Sequence, residues 1–235
     1  MGRPREFDID KAVDTAMDMF WRNGYDRTSL SDLTGALKIA PPSFYFAFGS
    51  KEALFKRVLD RYQSGQMGFV EDAFRMPTAK ETVETFLYRK VDAHTDPSHP
   101  PGCLVVNCSL PCSADGDPIR EELAVMREFV RRQFLKRFRH AQVDGDLAPD
   151  VDVGELSRFV MVVSWGLAAE AQAGASRKAL YQSVAMAMRS WPQAGEQLKR
   201  APLSPKKARR PLSAIQSKRL APKRRSAESK SNEVA

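Results

Sequence analysis

The chain has 235 residues, 43% hydrophobic and 28% charged, which is enough apolar material to pack one large domain or two modest ones. No run of eighteen apolar residues occurs and the opening MGRPREFDID lacks the apolar stretch of a leader, so a membrane span and export are excluded and a cytoplasmic protein is expected. The net charge of +8 is not spread evenly: ten Lys or Arg and two acidic residues lie from Ala201 onward, so that segment holds the whole excess and residues 1–200 balance.

Ile9, Ala12, Val13, Ala16, Met17 and Phe20 recur at three-and-four spacing, which predicts an amphipathic first helix capped by Asp8 and stopped by Gly24. Ser29, with Asp32 three residues on, forms a capping box for a second helix, whose apolar side is Leu30, Leu33 and Leu37 and which ends near Lys38. The turn KIA follows. Pro41-Pro42 suits the first turn of a short third helix, where a proline loses no hydrogen bond, and Ser50 caps a fourth helix that begins at Lys51-Glu52. Beyond Tyr62 the helical period continues without strand-like alternation. It predicts helices near 51–74, 79–94, 104–112, 118–143, 153–173 and 176–190, with the Pro, Gly and Asp-rich loops TDPSHPPG and DGDLAPDVD among the breaks. The fold class is all-α. After Trp191-Pro192, proline and charge dominate and large apolar groups are scarce, so residues 196–235 are expected to form a disordered basic tail.

Two short helices joined by a three-residue turn, backed by a preceding helix, make a helix-turn-helix, whose second helix enters the major groove N-terminal end first. The stretch FWRNGYDRTSLSDLTGALKIAPPSFYFAFGSKEALF resembles the TetR family of bacterial transcriptional repressors over roughly residues 9–60. Further on, GCLVVN, AQVDGDL and GASRKALYQSV look like pieces of the ligand-binding half of one branch of that family. The resemblance implies a DNA-binding domain over 1–52, a ligand-binding and dimerisation domain over 53–195 and a homodimer formed by the helices near 153–173 and 176–190. It also implies a double-stranded DNA operator and an unknown small-molecule effector, with no cofactor.

The residue chemistry supports this division. Thr28 and Ser29 place hydroxyls beside unpaired N–H groups at a helix start, a seat for phosphate. Tyr45 can direct its phenol at a second phosphate, and Lys51 joins a cation to a helix N-terminus. Reading of bases then falls to Pro41, Pro42, Ser43, Phe46 and Ala47, with Ser31 of the second helix beside them. Phe44 and Phe48, four apart, face inward, whereas Phe46 and Ala47 are placed to touch thymine methyls. Lys38 stands where the family usually has glycine, and a left-handed conformation there costs a non-glycine residue about 1–2 kcal/mol.

In the later half, Phe86, Leu104, Asn107, Cys108, Phe129 and Trp165 are the expected effector lining. Cys103, Cys108 and Cys112 raise a different reading, a thiol or metal sensor, but their spacing lacks the two-residue gap of tight metal motifs, and His94 and His99 are assigned to a flexible loop. Three clustered cysteines make no disulfide framework, so reduced thiols are the default. An all-α enzyme, hydrolase-like or glutathione-transferase-like, is the alternative from another class. No nucleophile and base fall into a recognisable motif, no Gly-rich phosphate loop is present, and the three histidines form no H-x3-H pair. An architectural DNA-coating protein would need a basic folded domain, which residues 1–200 do not supply.

Overall fold

Side chains that can satisfy the orphan backbone groups of a helix end set most of the element boundaries. Asp8 accepts from Lys11 N and starts α1 (Ile9–Asn23), which Gly24 ends at φ 81°, donating its N–H to Phe20 O. Ser29 and Asp32 form the complete capping box of α2 (Leu30–Leu37), Pro41 and Pro42 open α3 (Pro41–Phe48), and Ser50 caps α4 (Lys51–Gln66) by accepting from Ala53 N. The remaining helices are α5 (Gly68–Phe74), α6 (Ala79–His94), α7 (Leu104–Ser109), α8 (Pro118–Val143), α9 (Val153–Gln172) and α10 (Arg177–Arg189). This computed structural model describes residues 7–109 and 118–192, and no strand occurs among the described residues. Cys112, the end of the helix expected over 104–112, and the tail over 196–235 lie outside them.

One predicted helix divides. The run expected over 51–74 breaks at Met67, which leaves the helical region at φ −108° and ψ 6°. Gly65 and Gly68 flank that residue, and glycine weakens a helix interior by roughly 1 kcal/mol each, so the chain bends there at little extra cost.

Two hydrophobic clusters fill the interior. The first gathers Ala16, Phe20 and Trp21 of α1, Leu33, Phe44 and Phe48 of the short helices, Leu54, Phe55, Val58 and Tyr62 of α4, and Leu104, Val106 and Cys108 around α7. The second joins Ala73, Val83, Phe86, Leu87 and Val91 to Phe134 and Phe138 of α8, Val160 and Leu167 of α9 and Leu180 and Val184 of α10. Trp165 packs against both. Arg61 of α4 adds a bidentate pair to Asp14 of α1 at 2.9 and 3.1 Å, but both groups are exposed and such pairs contribute little beside the apolar packing.

α6 and α9 run in the same direction. Ala79 N at the start of α6 donates to Asp146 Oδ2 just before α9, while Gly102, tied to His94 O at the end of α6, lies against Ala168 of α9. α10 returns antiparallel to α6, with Tyr181 donating to Asp92 and Arg177 Nε donating to Thr95 Oγ1 at 2.8 Å.

Candidate nucleic-acid interface

The turn between α2 and α3 is closed by Lys38 in the left-handed region at φ 55° and ψ 42°, the one non-glycine residue with positive φ among the described residues. Lys38 N donates to Gly35 O and Ile39 N to Thr34 O, a Schellman closure that satisfies two orphan carbonyls of α2. A lysine thus holds the conformation for which glycine is the usual choice, and it is exposed directly before α3. The sequence marked Lys38 as a departure from the family; that it also sets a cation at the mouth of the reading helix comes from the fold.

α3 is held from behind and bare in front. Phe44 and Phe48 are buried in the first cluster with ring centroids 5.3 Å apart, while Pro41, Pro42, Ser43, Tyr45 and Phe46 are exposed and Ala47 is half-buried. Phe46 is 96% exposed and Tyr45 52%, large apolar groups that monomeric packing alone would not leave in water side by side. Ala40, at the N-cap, contributes no side-chain bond, so the prolines leave the helix start with an apolar edge. The hydroxyls of Ser31 and Ser43 make no intramolecular hydrogen bond among the described residues and are exposed.

The phosphate seat differs from the expected one. Thr28 is fully buried and its hydroxyl donates to Gly24 O at 2.8 Å, so it braces the α1–α2 turn and cannot reach a phosphate. Ser29 is exposed, but its Oγ donates to Asp32 Oδ2 at 2.6 Å and accepts from Asp32 N at 3.1 Å. Those bonds from Ser29 hold the Asp32 carboxyl below the usual carboxylate range, with a smaller contribution from the charge of Lys51. Lys51, half-buried at the start of α4, sits with its ammonium 4.1 Å from the Tyr25 ring centroid. The ring fixes the cation beside the α2 N-terminus, a placement the sequence could not show because Tyr25 is 26 residues away.

The six residues expected to line an effector site fall in different surroundings. Phe86 belongs to the second cluster, and Leu104 and Cys108 to the first. Asn107 Nδ2 donates to Trp21 O at 2.7 Å and Cys108 Sγ to Phe20 O at 3.5 Å, so these α7 side chains are bonded to carbonyls near the end of α1. Phe129 is 62% exposed on α8 because its helical register places it opposite the buried Phe134. Trp165 borders a groove of about 310 Å³ with Arg127, Arg131, Arg158, Met161 and Val162.

Burial pushes the Cys108 thiol up to about 12, and Cys103 Sγ accepts from Tyr62 Oη at 3.3 Å. No cluster of three His, Cys, Asp or Glu capable of holding a metal exists among the described residues. Of the two histidines expected in a loop, His94 is instead the buried last residue of α6, while His99 lies in the loop after it and stacks on Trp21 with centroids 4.5 Å apart.

No helix among the described residues is long and apolar enough to cross a membrane. The family described as "Bacterial regulatory proteins, tetR family" matches residues 12–58, and "Tetracyclin repressor-like, C-terminal domain" matches 79–193. The chain is 33% identical over 202 residues to the HTH-type transcriptional repressor ComR of Escherichia coli (strain K12), covering 82% of this chain and 92% of that protein. To the HTH-type transcriptional repressor BdcR of the same strain it is 31% identical over 192 residues, covering 79% and 90%. Among solved structures it is similar to a cysteine-substituted TetR family regulator, CifR, complexed with 26-base-pair double-strand operator DNA, at 40% identity and TM-score 0.75, covering 81% of this chain and 100% of that one. These matches run through both the helix-turn-helix and the helices behind it, and with the geometry of α2 and α3 they establish that the chain belongs to the TetR family and is a DNA-binding transcriptional regulator, not an enzyme.

Proposed function

We propose that the protein is a dimeric repressor of a near-palindromic operator, released from DNA by a small molecule bound in its C-terminal half. The observation that carries the reading is α3, anchored by buried Phe44 and Phe48 while Phe46 stands 96% exposed beside Ser43. In a major groove that ring meets thymine methyls, and Ser43 Oγ meets a base-edge acceptor or donor. Ser31 of α2 lies beside this reading face, and Lys51, Tyr45 and the α2 terminus at Ser29 supply the sequence-independent contacts to phosphate. A solved relative bound to operator DNA and two relatives named as repressors support this reading.

In this proposal residues 1–52 form the reading unit, 53–195 the effector and dimerisation unit, and 196–235 a basic tail that adds non-specific DNA affinity. The dimer is assigned to α9 and α10, where Phe159, Val162 and Met186 are exposed and a shallow apolar groove runs past Val163, Gly166 and Leu180. A second copy of the same two helices would close a four-helix bundle and cover these side chains. Effector binding reaches the reading heads through α7, whose Asn107 is bonded to the end of α1. The test is a gel shift on the DNA beside the protein's own gene, paired with sedimentation. One dimer per shifted complex, with recognition helices about 34–36 Å apart in the complex, is expected. Monomeric binding or no preference over random DNA would refute the proposal.

A further inference from the structure

Between the two hydrophobic clusters lies a set of buried polar groups that the DNA-binding mechanism does not use. Lys90 of α6 is 5% exposed and makes no hydrogen bond or ion pair among the described residues; its ammonium lies 5.2 Å from the Phe86 ring centroid. His94, one turn on, buries its Nε2 with no hydrogen-bond partner among the described residues, and Ser164 of α9 does the same with its hydroxyl. Because α6 and α9 are parallel and Gly102, which donates to His94 O, lies against Ala168 and Gln172, the last turns of the two helices lie side by side, with Lys90 one turn before His94 and Ser164 one turn before Ala168. Trp165 follows Ser164 and touches both clusters, and Cys103, whose sulfur accepts from Tyr62 Oη, is near enough to act on the Lys90 charge.

A buried serine in a helix usually donates to the carbonyl one turn back; Ser164 does not. Buried lysines are almost always paired, because an isolated ammonium in an apolar setting is costly. Burial lowers the affinity of Lys90 for its proton, and burial, reinforced by the charge of Lys90, lowers that of His94 well below its ordinary range. Of the described groups acting on Lys90, only the Cys103 sulfur favours its charge; no described carboxylate does. The set is thus short of acceptors, with the Phe86 ring against Lys90 and Trp165 next to Ser164 along α9. What completes it is an anion on an apolar body.

We propose that Lys90, with the Ser164 hydroxyl as second donor, anchors the carboxylate of a small, otherwise apolar acid whose body lies between Phe86 and Trp165. The proposal rests on the reading of the chain as a ligand-released regulator and names the chemical class of that ligand. It also explains why Lys90 stays in a helix interior where methionine would fill the same space without a desolvated charge. The carboxylate would supply the missing acceptor, and the pairing of charges away from water gives a preference for acid over the matching amide that is at least tenfold.

The experiment uses the full chain with hexanoate, benzoate and phenylacetate, each against its amide, in thermal melting and in release of the DNA beside its own gene. At least one acid should raise the melting temperature of the wild type and release DNA, with its amide tenfold weaker or worse. Lys90→Met should melt at or above the wild type without acid and lose acid binding by about tenfold or more; Ser164→Ala should lose a smaller factor with unchanged melting. Equal acid binding by wild type and Lys90→Met, no melting shift with any acid, or a Lys90→Met that melts well below wild type would each overturn the proposal. Release by amides alone would sink the carboxylate site and leave ligand release standing. An acid that binds through Lys90 without releasing DNA would leave the site standing and sink ligand release.

Discussion

Lys38 and Thr28 show how single residues near the reading head divide between strain, support and contact. Lys38 holds a left-handed backbone that costs a side-chain-bearing residue about 1–2 kcal/mol, of which glycine's extra unfolded-state freedom returns about 0.4–1. Lys38→Gly should therefore raise stability by roughly 0.5–1 kcal/mol in denaturant melts while weakening DNA binding and reducing its salt slope by about one unit, since a cation is lost. Thr28→Val removes the buried bond to Gly24 O and should cost about 1 kcal/mol, whereas Thr28→Ser should keep most of it. The capping residues Asp8, Ser29 and Ser50 and the inward pair Phe44 and Phe48 were legible in the sequence, because caps and helical spacing are local signals. The fate of the Thr28 hydroxyl was not, because it depends on how the chain turns back on Gly24. Cys108 carries its own test. Burial raises its thiol to about 12, above its unfolded value of roughly 8.5, so the unfolded chain ionises first. Stability from this group is complete below that value and declines as pH rises toward 12, and alkylation of Cys108 at neutral pH should be much slower in the folded protein than in denaturant.

Among elements, α7 joins the two halves. It packs its apolar side into the first cluster and spends Asn107 and Cys108 on carbonyls at the end of α1. Six residues with that role read in sequence like a fragment of a pocket wall, since polar groups on an apolar helix look the same whether they meet a ligand or a backbone carbonyl. Only tertiary placement separates the cases, and the same limit hid Lys90, left Ser164 on the face of α9 assigned to the dimer and put His94 in a loop when it ends α6. Asn107→Ala should cost about 1–2 kcal/mol by leaving the α1 carbonyls unpaired. Operator affinity of the folded variant should change little, while the ligand concentration needed for release should rise; normal release by a folded Asn107→Ala protein would show that the signal takes another route.

At the scale of the whole molecule, α9 and α10 present apolar side chains that a monomer would leave wet. Met186→Arg places a charge at that face and should yield a folded monomer by sedimentation, with operator affinity reduced by orders of magnitude because two half-sites are no longer held together. A tight dimer in that variant would move the interface elsewhere. The central claim is that α3 reads sequence through an apolar face while Lys51 and its neighbours only position the protein. Binding selection from a randomised operator library, run in parallel for wild type, Phe46→Ala and Lys51→Ala, tests it most directly. The account predicts that Phe46→Ala shifts the preferred bases at one position in each half-site, with folding unchanged within about 0.5 kcal/mol, and that Lys51→Ala keeps the wild-type preference with uniformly weaker binding. An unchanged preference in Phe46→Ala together with an altered one in Lys51→Ala would contradict it.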